Sequence, residues 1–245
     1  MTNSILAYVH AYQGMGRNAG AETTLHDILA HLVRNGWEAT VLVTQPAGIS
    51  EYVLDGVKVI PEQSRRDIIN LMPSFNVCIT HLDNTERTVI LGKKFRTPVV
   101  QLIHNDMTPT HGYVAMGCDL VLFNTYWIKE KYPEYKGLSI VVHPAVKEEN
   151  YLVGNPKDSK FATLVNLWPN KGSATFYNVA NALPEVKFLG IPGGYGEQDI
   201  REGDNIEFGA HTHDMRDVYS KTRVVLMPSK YESFGRVAVE AACSG

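Results

Sequence analysis

An α/β chain, with parallel sheets flanked by helices and two such units in succession, is predicted by three observations. Short aliphatic and β-branched runs recur along the sequence, helical patterns separate most of them, and one polar stretch between Pro144 and Lys160, punctuated by glycine and proline, interrupts the alternation. Alternation of strand and helix is the signature of a doubly wound sheet. The single interruption reads as an interdomain linker.

The first unit opens with a strand at Ile5–Val9, a helical pattern over Ala21–Asn35 and a second strand at Glu38–Val43, with Gly36 where a helix C-cap favours glycine. Further strands are expected at Val57–Ile60, Val77–Thr80, Val99–Ile103, Leu120–Phe123 and Ile140–His143. The segment Lys147-Glu148-Glu149-Asn150 to Gly154-Asn155-Pro156-Lys157-Asp158 lies in the linker. In the second unit, strands are expected at Phe161–Val165, Val186–Leu189, Asn205–Phe208 and Val224–Met227. Helices are expected near Ser173–Ala182, Met215–Ser220 and Gly235–Ser244, the last of them mostly buried on the strength of Val237, Val239, Ala241 and Ala242. The resulting division is 1–145, a linker over 146–160, and 161–245.

Composition limits the function classes. With 245 residues, 44% hydrophobic and 20% charged, the chain is ordinary globular material, and a formal charge of -3 gives no general footing for a phosphate backbone. The three cysteines, Cys78, Cys118 and Cys243, show no paired spacing, which suits reduced, buried thiols and a cytoplasmic location. No apolar run approaches the roughly 20 residues a membrane-spanning helix needs, and the N-terminus lacks a secretion signal.

The chemistry concentrates in Pro228-Ser229-Lys230-Tyr231-Glu232-Ser233-Phe234-Gly235-Arg236-Val237-Ala238-Val239-Glu240. Glu232 falls in a strand-to-helix loop and Glu240 about a turn and a half inside the following helix. The backbone N–H groups of Ser233, Phe234 and Gly235 are placed at a helix start, where orphan donors and the helix dipole attract a diphosphate. An ionised Glu240 offers two acceptor oxygens to a pair of vicinal ribose hydroxyls, and Glu232, nearer the phosphates, faces a transferred sugar. Taken as two isolated glutamates, they are read more simply as a helix cap and a surface ion pair.

This segment resembles the Glu-x7-Glu signature of retaining glycosyltransferases of the GT-B architecture, glycosyltransferase family 4 in particular. A second block, Phe161-Ala-Thr-Leu-Val-Asn166-Leu-Trp-Pro-Asn-Lys171-Gly172 followed by Phe176, Ala180, Pro184 and Phe188-Leu189-Gly190, is similar to the family's strand, loop and Lys-Gly that open the donor domain. Where many members carry arginine, this chain has Asn166, so the charge-assisted contact to a phosphate falls to Lys171 alone. The resemblance covers nearly the whole chain, strongly from Phe161 onward. It implies two Rossmann-like domains, an acceptor-side domain over 1–145 and a donor-binding domain over 161–245. The second is incomplete at Gly245, which leaves a sheet edge open to self-association.

Motifs in the first half are weaker. Gly14-Met-Gly16-Arg-Asn-Ala-Gly20 is one residue too long for the dinucleotide fingerprint, which discounts nicotinamide binding. Ala19-Gly20-Ala21-Glu22 is similar to the family's helix start, where Gly20 lets a phosphate or sugar approach the backbone; Glu22 reads equally as a helix-start residue. His104 closes a buried strand and matches the family histidine that faces the donor sugar. Asn124-Thr125 resembles the family's Asn-Ser helix start, for which capping is sufficient explanation. Gly193-Gly194-Tyr195-Gly196 reads as a loop near the donor or as a plain turn. His211, His213 and Asp214 are better explained as solvated residues before a helix than as metal ligands.

The function that the resemblance implies is transfer of a sugar from a nucleoside-diphosphate-sugar, a UDP-sugar by preference, to an unidentified acceptor with retention of configuration. It implies no cofactor and, with no D-x-D pair, no donor-bound metal. The expected catalytic residues are Glu232 and His104, and the expected donor-binding residues are Lys171, Asn166, Ser233, Phe234, Gly235, Glu240 and Gly20. A non-catalytic nucleotide-sugar binder and a GT-B-type epimerase are the alternatives.

Overall fold

The computed structural model describes residues 2–15, 20–46, 48–154, 159–194, 196–212 and 214–245. Gly16 and Ala19 of the glycine-containing loop, Asn155 to Asp158 of the linker, Tyr195 and His213 lie outside the described residues. The chain divides into two compact units, Met1–Pro144 and Ala145–Gly245.

Unit 1 carries β1 (Ser4–Val9), α1 (Gly20–Arg34), β2 (Glu38–Val43), β3 (Tyr52–Leu54), β4 (Val57–Pro61), α2 (Asp67–Leu71), β5 (Val77–Thr80), α3 (Asn84–Phe95), β6 (Val99–Ile103), α4 (Thr108–Val114), β7 (Leu120–Phe123), α5 (Tyr126–Glu130) and β8 (Ser139–Val141). The strand order is β3-β4-β2-β1-β5-β6-β7-β8, with every pairing parallel except β3 on β4. All six residues of β1 are buried, because the sheet is covered on both faces. Ile5, Ala7 and Val9 face a cluster with Leu25, Leu29, Val41 and Val59, while Leu6 and Tyr8 face Leu42, Ile68, Met72 and Cys78. Burial of each such leucine stabilises by about 1.5–3 kcal/mol. Thr125 caps α5 by accepting from the Ile128 N–H at 3.1 Å, as the capping reading requires.

Strand β3 is an addition to the predicted set. It joins β4 through Asp55-Gly56, both in the left-handed region with φ of 48° and 79°, the conformation of a two-residue hairpin turn.

Unit 2 carries β9 (Phe161–Val165), α6 (Ser173–Ala182), β10 (Lys187–Ile191), β11 (Ile206–Phe208), α7 (Arg216–Tyr219), β12 (Thr222–Leu226) and α8 (Arg236–Cys243). Its four strands are parallel in the order β11-β10-β9-β12. Phe176, Tyr177 and Ala180 of α6 pack on Leu164 and Phe188, and Phe161, Leu189, Ile191 and Val218 fill a second cluster. The buried Asn205 amide donates to the carbonyls of Ala180, Leu183 and Val186, tying the end of α6 to the entry of β10. A bulge at Arg223 sets the register of β12, so that Thr222 opposes Phe161 while Val224 opposes Ala162.

Helix α8 departs from the expectation of a mostly buried helix. Among its residues only Glu240 is buried; Val237 and Val239 are half-buried and Ala238 is exposed. The preceding strand β12 is the edge of the four-stranded sheet, so the helix has a sheet surface on fewer sides than a central strand would give it.

Candidate functional site

Adjacent parallel strands deliver their C-terminal loops to the same sheet edge, and β9 and β12 are adjacent. The loop after β9 turns through Asn166, whose φ is 72°, then through a 3-10 turn at Pro169–Lys171, and enters α6 at Gly172. The loop after β12 runs from Met227 to Gly235 and enters α8. The two are joined at several points. Lys171 Nζ lies 2.6 Å from Glu232 Oε1, which also accepts from Ser229 Oγ at 2.7 Å. The Lys230 N–H donates to the Asn170 carbonyl at 3.2 Å. Gly172, with φ of 90°, packs so closely on Pro228 that a Cβ there would sit 2.5 Å from its carbonyl oxygen. Glycine is therefore required twice over, by conformation and by space. The Lys171 and Glu232 side chains are 29% and 26% exposed, so the pair is open to exchange of partners.

Glu240 sits in a different environment. It is 7% exposed; Oε1 accepts from Arg236 Nε at 2.7 Å and the Tyr151 hydroxyl at 2.9 Å, and Oε2 accepts from the Tyr219 hydroxyl at 3.0 Å. Burial first, and then the neighbouring carboxylate, raises the pKa of Tyr219; burial is the leading cause for Tyr151 as well, so both hydroxyls keep their protons and donate. Tyr151 follows a 3-10 turn at Glu148–Asn150, within the stretch read as linker, and neither it nor Tyr219 carries a sequence signal that points to Glu240.

Asn166 Oδ1 accepts from the Trp168 N–H at 3.1 Å, and the side chain lies against Gly193, where any Cβ would collide with it. Gln198 Oε1 accepts from both the Leu167 N–H at 3.0 Å and the Gly193 N–H at 2.8 Å, binding the loop after β9 to the loop after β10. Ser233 and Phe234 are half-buried, and Gly235, with φ of 74°, is the N-cap of α8. Asp214 forks the Arg216 guanidinium at 2.8 and 2.5 Å and accepts from its N–H at 3.0 Å, while His211 Nδ1 lies 3.2 Å from the Pro192 carbonyl. Among the described residues no cluster of three or more histidine, cysteine or acidic side chains is arranged to hold a metal ion.

In unit 1, His104 follows directly on β6 and has two histidine neighbours that the sequence reading did not single out. His10 follows β1 and His81 follows β5; ring centroids are 5.1 Å apart for His10 and His81 and 5.4 Å for His81 and His104. Burial, then the neighbouring rings, holds His81 well below the usual histidine range, and burial, then His10, brings His104 down to about 4. Gly20 is the first residue of α1, with open space where a Cβ would project, and the buried Glu22 places Oε1 3.6 Å from His10 Nε2. Among the described residues, no helix is long and apolar enough to cross a membrane.

No protein-family model matches the sequence. No curated protein matches it either. Solved structures do match the fold. HepE of Anabaena, in complex with UDP-glucose, aligns with a TM-score of 0.76 at 17% identity over 98% of this chain and 78% of its own. A glycosyltransferase of Rickettsia africae aligns at 0.71 and 14% identity, over 99% and 77% of the two chains. An α,α-trehalose-phosphate synthase of Burkholderia xenovorans, in complex with glucose-6-phosphate, aligns at 0.73 and 10% identity, over 99% and 82%. At these identities the likeness establishes the fold: the chain has the two parallel-sheet Rossmann-like units of GT-B glycosyltransferases.

Proposed function

We propose that the protein transfers a sugar from a nucleoside-diphosphate-sugar to an acceptor hydroxyl with retention of configuration. The observation that carries this reading is the pairing of Lys171 with Glu232 beside Gly172 and Pro228, which joins two separate sequence blocks into one group of residues. The shared fold with sugar-nucleotide enzymes supports it.

In this reading the diphosphate displaces Glu232 as the partner of Lys171. An ammonium and the start of α8 then stabilise the charge that develops on the leaving phosphate. Asn166, through its amide nitrogen, and the backbone at Ser233, Phe234 and Gly235 add neutral donors around the same oxygens. Glu232, released, accepts from the sugar hydroxyls and orients the ring. The acceptor oxygen forms its bond to the anomeric carbon as the bond to phosphate breaks, on the same face. The hydroxyl proton passes to the departing phosphate oxygen. Charge stabilisation by Lys171 and backbone dipoles leaves no step that calls for a donor-bound metal, and no cofactor is needed. Glu240 takes the ribose diol. Three free cysteines favour a cytoplasmic setting.

The test is a thermal-shift panel of UDP, GDP, ADP and UDP-sugars on the 245-residue chain beside Glu240→Ala. A melting-temperature rise with one nucleotide, lost in the variant, is expected. No rise with any nucleotide overturns the reading.

A further inference from the structure

The strand order of unit 1 reverses direction between β1 and β5, and the crevice beyond the C-terminal ends of such a pair is where open α/β sheets take ligands. His10 and His81 are the residues that follow β1 and β5 there, their rings stacked at 24°, and His104 follows the next strand. Among the described residues, four buried ring nitrogens of this row have no hydrogen-bond partner: Nδ1 of His10, both nitrogens of His81, and Nδ1 of His104. Each such atom costs about 1–3 kcal/mol when left unpaired. His26 in the same unit shows how a purely structural histidine is treated, with Nδ1 paired to the Tyr12 hydroxyl at 2.8 Å and Nε2 to Asp55 at 2.9 Å.

The geometry points to the row His10, His81 and His104 as a recognition site for an uncharged polyol, which, on the glycosyl-transfer reading above, is the acceptor. A neutral imidazole presents one donor and one acceptor, and so does a hydroxyl group; a row of such rings matches a run of sugar hydroxyls. A phosphate or carboxylate offers acceptors alone and would leave the acceptor nitrogen of each such ring without a donor. The first turn of α1, whose dipole would otherwise favour an anion, holds Glu22 3.6 Å from His10. His10 and His104 are half-buried and give the approach, while His81, 1% exposed, lies between them and acts as a positioning residue.

The test labels histidine with 15N in the full chain and follows the imidazole resonances during titration with glucose, maltose and myo-inositol, and separately with glucose 6-phosphate and inorganic phosphate. At least one uncharged probe is expected to shift His10 and His104 saturably while leaving His26 unmoved, with the charged probes at least tenfold weaker. His81→Phe is expected to weaken that response at least tenfold with the His26 signals intact. Should this variant fail to fold, His10→Phe carries the same expectation. Phosphate probes that bind as tightly as the polyols overturn the proposal, and so does the absence of a saturable shift with every probe. A nucleotide-induced thermal shift with a silent row would sink this inference and leave sugar transfer standing. A responsive row without a nucleotide shift would leave a sugar site and remove the transfer reading.

Discussion

The Tyr151 hydroxyl donates a 2.9 Å hydrogen bond to Glu240 across 89 residues of sequence, and so occupies an oxygen that the proposed ribose contact requires. Tyr219 holds the other oxygen at 3.0 Å. Two O–H donors, one on each carboxylate oxygen, reproduce the hydrogen-bonding chemistry of a vicinal diol. Tyr151→Phe should therefore raise nucleotide affinity several-fold, and lower stability by about 1–2 kcal/mol through loss of a charge-assisted bond. Calorimetric titration with the nucleotide and a urea melt check the two effects separately.

Gly172→Ala meets both a positive φ and the Pro228 carbonyl. The expected loss is about 2 kcal/mol or more in stability, together with a displaced Lys171 and at least tenfold weaker nucleotide binding. Denaturant unfolding and titration of the same sample measure both.

Glu232→Gln keeps the shape of the side chain but removes the charge that pairs with Lys171 and that, on the proposed function, orients the sugar. Turnover should fall by 10²-fold or more, by analogy with other lost transition-state contacts, with donor affinity changed by less than about fivefold. Glu240→Ala should do the reverse, raising the donor KM far more than it lowers kcat. Equal losses in both constants for both variants would contradict the assignment of roles.

The histidine row makes unit 1 sensitive to acid. His81 and His104 both fall below the ordinary value of 6.5 in the folded chain, His104 to about 4, so the unfolded chain binds protons first as pH drops. Their contribution is complete above about pH 6.5 and is lost on the way down toward pH 4. His104 alone should remove about 2–3 kcal/mol by roughly pH 4.5, with His10 of the row and Glu22 beside it as the other titratable groups. Melting temperature against pH should decline over this window, and His104→Phe should flatten the decline.

Strand positions were legible because buried parallel strands are continuous aliphatic runs, and β1, β6, β7 and β9 lie where such runs do. Strand β3 was overlooked although Asp55-Gly56 between Tyr52-Val53-Leu54 and Val57 is a hairpin signal; three residues at an edge, with Val53 66% exposed, lack the apolar density that marks a strand. Lys171, Glu232 and Glu240 were singled out by motif, and the first two meet in the structure. His10 and His81 were not, because nothing local says that β1 and β5 are neighbours; that fact belongs to strand order, which is fixed by long-range packing. Tyr151 escaped for the same reason, as a polar stretch with glycine and proline gives no sign of which hydroxyl a distant carboxylate will need.

The single extra residue in β12 works like the phase setting of a ratchet. From Val224 onward each residue stands opposite its partner on β9 because Arg223 takes up one position without a counterpart. Were Arg223 to take Ala162 as its partner, everything downstream would stand one step, about 3.3 Å, out of its present register, and the side chains beyond it would turn to the opposite face. Glu232 would then lose its alignment with a lysine it now meets at 2.6 Å. The alignment of the two loops thus depends on one residue of β12 being left out of the pairing with β9.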